Sequence, residues 1–277
     1  MNKLLTYIFL AYLFSSCQEP LSKANSEGEH TYLHIAHTRT DINPTIDSIV
    51  EKVNFDKYNM LWLGGDLSKS SSIDDMSMAY IDSIFNVKNE TTLWALGNHD
   101  YSSLNRIEAY TNRPPYYSYH KNGLTIVVID TQDSLSNIIG EQERLVKTVL
   151  DTLEKSSHLI LLHHKLIWMY GNEKLEPKAN SISNGGLGSC FHCINPNNFY
   201  SDIYPTLVKV REKGIGVICV AGDIVFKSNK FEYETPEGIH FLASGIDSKK
   251  KNNQALIFHH DLSTGNLNWS FESIESL

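Results

Sequence analysis

Five short apolar runs constrain what this chain can fold into more than any other feature. They cover 31–36 (TYLHIA), 59–64 (NMLWLG), 91–97 (TTLWALG), 157–163 (SHLILLH) and 216–222 (GVICVAG). Each is rich in strand-forming residues and stops at a glycine or a polar side chain. Amphipathic stretches over 44–53, 73–85, 141–154 and 203–213 lie between several of them. Strands buried on both faces read as continuous apolar runs, with helices as their covers. The segment YYSYHKNGLTIVVID predicts a hairpin around Asn122-Gly123. Near the C-terminus GIHFLAS, QALIFHHD and NLNWSFES alternate between apolar and polar residues and carry turn signals, so they are expected to run antiparallel. The pattern is that of a layered α/β sandwich with mixed sheets. No internal repeat is visible, and the long connection over 170–200 is expected to form a substrate lid or rim.

With 277 residues the chain is long enough to bury one substantial core. A net charge of −8 argues against general nucleic-acid binding, which needs a basic surface, but leaves room for a small anion at a local cationic site. The first residues, MNKLLTYIFLAYLFSSC, place a lysine before an apolar run too short to span a membrane, then small residues. That is a secretory signal. Its ending, FSSC, resembles a bacterial lipobox with Phe14 where leucine is usual. On that resemblance residues 1–16 are removed and Cys17 becomes the lipidated first residue of an envelope protein held on a membrane. A plain cleaved signal with an incidental cysteine is the alternative. Residues 17–30 read as a polar tether, and 31–277 as the folded domain.

The chemistry collects where the apolar runs end. Gly65-Asp66, Gly97-Asn98-His99-Asp100, His163-His164 and Gly222-Asp223 each follow one. Ligands of parallel sheets bind beyond the carboxyl ends of the strands, so these residues should converge. Oxygen and imidazole donors from separate strand ends suit a divalent transition metal: manganese, iron or zinc. A lone Gly-Asp is more often a turn, and a buried histidine pair more often packs in a core. The GNHD stretch is far more specific.

Taken together, these motifs resemble the calcineurin-like metallophosphoesterases, the superfamily that includes purple acid phosphatases. The family pattern is D-x-H, G-D, G-N-H-D/E, a histidine before a proline, and G-H-x-H. Gly65-Asp66 and Gly97-Asn98-His99-Asp100 match it directly, and the resemblance spans about residues 31–245. It implies a four-layer α/β/β/α sandwich with two mixed β-sheets that hydrolyses small phosphorylated substrates at a divalent-metal site. By position, Asp66 would bridge two metals, Asn98 and His163 would bind the second, and His99 would protonate the leaving oxygen. Asp100 and His164 would support the ligands from behind, with His164 the alternative to His163, because Lys165 stands where the family has proline.

Two motifs depart from the pattern. D-x-H is here His37-Thr38-Arg39, and G-H-x-H is Gly222-Asp223-Ile224-Val225. Arg39 and Val225 cannot bind a metal, so the first site is broken. The second keeps Asp66, Asn98 and His163, with Asp223 as an acceptable substitute for histidine. One reading is an enzyme with one ion rather than two, in which the Arg39 guanidinium takes the space of the missing cation and His37 or Asp223 acts as a base. The other is a degraded site on a lipid-anchored binding or assembly factor. For Arg39 itself, a surface ion pair with Asp41 is the plain alternative.

Other features admit blander readings. Cys190-Phe191-His192-Cys193 fits a disulfide loop or part of a metal site, and its setting between SISNGGLGS and INPNN favours a structural or substrate-facing loop over a redox motif. NNFY (197–200) and SISNGGLGS (181–189) are candidate substrate contacts. Trp168 and Tyr170 line a pocket or pack in the core, and His259-His260 place at most one ring inward.

Overall fold

A computed structural model of the chain describes residues 28–247 and 249–277. The signal segment and Cys17 lie outside the described residues, as does the tether up to residue 27. Glu29 and His30, expected in the tether, already belong to the first strand, where they pair with Asp261 and His260.

Eleven strands form two sheets. In chain order they are β1 (Glu29–Ile35), β2 (Met60–Leu63), β3 (Thr92–Trp94), β4 (Tyr117–Lys121), β5 (Leu124–Val128), β6 (His158–His163), β7 (Gly216–Ala221), β8 (Lys230–Glu234), β9 (Ile239–Ser244), β10 (Gln254–Asp261) and β11 (Asn266–Ser273). The first sheet has the order β11-β10-β1-β2-β3, with β1, β2 and β3 parallel and β10 and β11 antiparallel. The second has the order β4-β5-β6-β7-β9-β8, parallel from β5 to β9 and antiparallel at both edges. All five apolar runs are therefore parallel strands. The Asn122-Gly123 turn, with both residues at positive φ, closes the β4–β5 hairpin. GIHFLAS departs from expectation: as β9 it is antiparallel to β8 but parallel to β7.

Alternation along each strand sorts its side chains into layers. Tyr32, Trp62, Ile126, Ile160, Leu162, Val220 and Phe258 fill the space between the sheets. Leu33, Ile35 and Leu63 face outward onto Met78, Ile81 and Phe85 of helix α1 (Asp75–Phe85) and Ile107 of α2 (Leu104–Thr111). Leu159, Leu161 and Cys219 face the other way, onto Val146 and Leu150 of α3 (Gly140–Thr152) and Leu207 and Val210 of α5 (Tyr204–Glu212). A single turn, α4 (Ala179–Ile182), interrupts the long connection. The result is the expected four-layer α/β/β/α sandwich. The helix expected over 44–53 does not form. That stretch has β-branched residues at Thr45, Ile46, Ile49, Val50 and Val53, which hold a helix poorly. The Asp47 carboxylate also accepts the Ile49 backbone N–H, which competes with helical bonding, and only a 3-10 turn at Val50–Lys52 remains.

Candidate metal centre

The carboxyl ends of β1, β2, β3, β6 and β7 meet at one edge, where glycines let the two sheets touch. A Cβ on Gly222 would lie 2.1 Å from the Gly64 carbonyl oxygen, and one on Gly97 would lie 2.2 Å from Asp66 Oδ1. His37 and Asp66, neither a glycine, both adopt positive φ there, at 57° and 56°. Such strained backbone persists where surrounding structure fixes it, and it clusters at functional sites.

Asp100 ties the loops together. Its buried carboxylate accepts the backbone N–H groups of Asp66, Leu67 and Gly97, the Trp94 indole N–H and the Ser71 hydroxyl. It stands behind Asp66. The Asp66 carboxylate faces two ways. Oδ1 accepts the His99 backbone N–H at 2.9 Å and lies 3.6 Å from His164 Nε2. Oδ2 lies 3.8 Å from both His37 Nε2 and Arg39 Nε. Burial pushes this carboxyl up, but His164, His37 and His99 more than offset it, so it is held below the usual carboxylate range.

The histidine pair resolves in favour of His164. Strand alternation turns His163 toward the α3–α5 layer, where its ring packs edge-on against Trp168 at 4.7 Å and its Nδ1–H donates to the Lys165 carbonyl at 2.7 Å. Burial pushes its pKa down to about 3, which makes it a neutral core histidine. His164 falls on the opposite face. Its Nδ1–H donates to the Gly64 carbonyl at 2.7 Å, which in the neutral ring leaves the lone pair on Nε2. That atom is buried without a hydrogen-bond partner, 3.6 Å from Asp66 Oδ1 and 3.9 Å from Asp223 Oδ1. Of the pair it is His164, not the expected His163, that faces Asp66 and Asp223, for no deeper reason than the two-residue period of a strand.

Asp223 is held by Ser183 Oγ, 3.3 Å from Oδ2, and its backbone N–H donates to the His164 carbonyl at 2.8 Å. Asn98 and His99 line the same cavity of 110 Å³ as His37, Arg39, Asp66 and Asp223. The His99 Nδ1–H donates to the Lys69 carbonyl at 2.7 Å. Arg39 does not pair with Asp41, which Lys249 takes at 2.7 Å. Its Nε instead lies buried beside Asp66 without a hydrogen bond, and its guanidinium sits 5.9 Å from the Phe226 ring centre. His37, whose Nδ1–H donates to the Ile246 carbonyl, packs edge-on against the same ring. Burial holds its imidazole below its ordinary pKa, more strongly than Asp66 raises it.

These donors fit one divalent ion. An imidazole lone pair aimed between two carboxylates, too far for a hydrogen bond to either, is the chemistry of a metal vertex. They do not fit a second ion, because Arg39 and His37 occupy the side of Asp66 that would serve it. Among the described residues only Cys190, His192 and Cys193 bring three His, Cys, Asp or Glu ligand atoms within 4.8 Å of one another, and their sulfurs form a disulfide and offer no thiolate; Asp66, His164 and Asp223 stand wider apart.

The cavity has walls that sequence reasoning caught only in part. Asn184 and Gly185, from the stretch SISNGGLGS, line it with His192. Phe226 also lines it and was not anticipated; no motif marks it. NNFY does not reach it: Asn197, Asn198, Phe199 and Tyr200 anchor the turn before α5. Trp168 is core, stacked on Phe241 at 4.9 Å. His260 is buried against the Tyr32 hydroxyl, while His259 faces Glu29 near the surface.

No protein-family model matches the chain, and no curated protein matches it in sequence. Solved structures do match its fold. A dimetal phosphatase from Danio rerio superposes with a TM-score of 0.51 at 10% identity, over 83% of this chain and 95% of that one. Weaker likenesses are a 5′-nucleotidase precursor from Thermus thermophilus (TM-score 0.45, 13% identity) and a NAD nucleotidase from Haemophilus influenzae (0.42, 15%). The match covers 88% and 87% of this chain but only 54% and 49% of those proteins.

Proposed function

We propose that this chain, which shares the fold of a dimetal phosphatase, is a phosphoester hydrolase that works with one divalent ion held by Asp66, Asn98, His164 and Asp223. The observation that carries the reading is the orphaned His164 Nε2 behind Asp66 and Asp223, two carboxylates that line a cavity with Arg39 and His99. Such an ion, when bound, supplies Lewis-acid polarisation of a phosphoryl oxygen and an acidified water.

The protein's own residues do the rest. Arg39 carries a permanent charge on a planar fork of donors, placed where the family would hold its other cation, and it neutralises the phosphoryl oxygens. His37 is buried and neutral, with its lone pair on Nε2, and takes the proton of the attacking water. His99, oriented by its Nδ1–H bond to the Lys69 carbonyl, acts as the imidazolium: it gives its Nε2 proton to the departing oxygen and is left neutral. A second cavity of 210 Å³ adjoins the first across Arg39 and Phe226, and gives the alcohol part of the ester room beside Thr40, Asp41, Asp247 and Lys249.

The test is turnover of p-nitrophenyl phosphate and bis(p-nitrophenyl) phosphate with manganese, zinc or iron. Activity should vanish in Asp66→Ala and fall by about a hundredfold or more in His99→Ala. A chain that binds phosphate but turns over neither ester would instead be the binding factor, the reading favoured by Arg39 and His37 displacing a metal site.

The same proposal holds the protein to the bacterial envelope by a lipid on Cys17. The apolar run and FSSC ending support it, and so does the Cys190–Cys193 disulfide, a bond that persists in oxidising compartments. Among the described residues no helix is long and apolar enough to cross a membrane. Cys17→Ala should release the protein from the membrane fraction; membrane retention of that variant would refute the anchor.

A further inference from the structure

Residues 183–195 are held more firmly than a surface connection requires. At one end the Ser183 hydroxyl and the Asn184 backbone N–H both bond to Asp223. At the other, Asn195 is 4% exposed and clamps the Cys190–Cys193 ring: its Nδ2 donates to the carbonyls of Cys190 and Cys193 at 2.8 and 3.0 Å, and its Oδ1 accepts the Cys190 N–H at 2.9 Å. The fully buried Ser136 hydroxyl donates to the Cys193 carbonyl and accepts the Asn195 N–H. Glycines close the gap between the two ends. A Cβ on Gly185 would lie 2.0 Å from the His192 carbonyl oxygen, and one on Gly188 would lie 2.6 Å from Cys193 Sγ.

The His192 imidazole takes no part in this clamp. It is exposed, and it lines the cavity with Asp66, Asn98, His99 and Asp223. A ring this short removes little entropy from the unfolded chain, since that gain grows with loop length. Its effect is local: it fixes the backbone that carries His192. Two carboxylates line the cavity, so an anionic ligand needs more than the ion and Arg39 to replace its water.

We propose that His192 is a substrate-binding residue that contacts a non-bridging phosphoryl oxygen, and that the Cys190–Cys193 disulfide positions it. The proposal rests on the phosphoester reading and names a residue that reading does not use. In a cavity of 110 Å³ a phosphoryl group held by Arg39 and by an ion on Asp66 comes within reach of the other lining residues, His192 and Asn184 among them.

Binding of inorganic phosphate to the full chain, followed by calorimetry, tests this beside the kinetics of p-nitrophenyl phosphate. His192→Ala should weaken phosphate binding and raise KM about tenfold, the effect of losing one charge-assisted hydrogen bond, and should move kcat far less. His192→Gln, which keeps a donor, should recover most of that. Cys190→Ser with Cys193→Ser should match His192→Ala, and adding His192→Ala to it should cost nothing more. Serines are chosen because free thiolates with His192 lie within reach of one metal ion. If the paired serines unfold the chain, wild type reduced by a phosphine replaces them: phosphine, disulfide and water give phosphine oxide and two thiols.

Unchanged phosphate affinity and KM in His192→Ala would overturn the contact. A serine pair that binds like wild type while His192→Ala does not would overturn the positioning role. A wild type without turnover whose phosphate affinity still depends on His192 would sink the hydrolase reading and leave the contact standing. No phosphate binding at all would sink both.

Discussion

Acidification from pH 7 to pH 5 should destabilise the protein by about 4 kcal/mol, through two histidines that never meet the ligand. His34 lies between the sheets, fully buried, with Nδ1 2.9 Å from Ser244 Oγ. His163 is fully buried against Trp168. Burial pushes both imidazoles down to about 3, His34 further lowered by His163 and His163 by His164. A histidine in the unfolded chain titrates near about 6.5. Between that value and about 3 the unfolded state holds a proton that the folded state refuses, so stability is full above the unfolded value and falls as pH falls. The loss is about 1.36 kcal/mol per pH unit and group, hence about 2 kcal/mol each at pH 5.

Two site histidines act in the same window: His37, held below its ordinary pKa by burial, adds to the loss, and His164 opposes it. His164, raised because Asp66 and Asp223 outweigh its burial, contributes stability below its unfolded value that is lost as pH rises through the folded one. Asp66, held low, loses its contribution only below the ordinary carboxylate range. The assay is urea unfolding at pH 7 and pH 5 in chelator, on wild type and on His163→Asn, whose amide keeps a donor toward the Lys165 carbonyl but does not titrate. The variant should lose about 2 kcal/mol less than wild type, because the other histidines titrate alike in both. Equal losses in both would refute the reasoning and reopen His163 as a ligand.

Two further substitutions probe the site itself. Gly97→Ala places a Cβ 2.2 Å from Asp66 Oδ1 and 2.8 Å from His164 Cε1, so it should weaken metal binding more than tenfold and cost about 1–3 kcal/mol of stability; wild-type chelator resistance and Tm would contradict it. Arg39→Ala should leave metal content unchanged and lower kcat/KM by about a hundredfold, and Arg39→Lys should restore only part, because the forked geometry is lost. Wild-type kcat/KM in Arg39→Ala would show that the guanidinium does not stand in for a cation.

Much of the fold was legible because buried parallel strands leave continuous apolar runs, and the strand ends Gly65-Asp66, Gly97-Asn98 and Gly222-Asp223, which meet at the candidate site, stand in plain view. The choice between His163 and His164 was not legible by motif, since proline is missing. It was available in the strand period: His164 continues the face of Ile160 and Leu162, His163 that of Leu159 and Leu161. The role of Arg39 was half legible. Its type suggested an anion, but only the fold reveals that it shares Asp66 Oδ2 with His37 while Lys249 takes Asp41. Phe226 and the clamp of Asn195 on the disulfide ring were invisible, because contacts between loops distant in sequence leave no period to read. The parallel course of β9 was missed for a related reason: a strand paired on both sides, as β9 is by β7 and β8, carries the same side-chain pattern whichever way each neighbour runs.

The central claim is that one ion, not two, is bound, and that His164 rather than His163 holds it. Metal analysis of the full chain after loading with manganese, zinc or iron and removal of loose metal tests it directly. The account predicts one equivalent in wild type and in His163→Asn, and none in His164→Ala. Two equivalents in wild type, or one retained in His164→Ala, would contradict it.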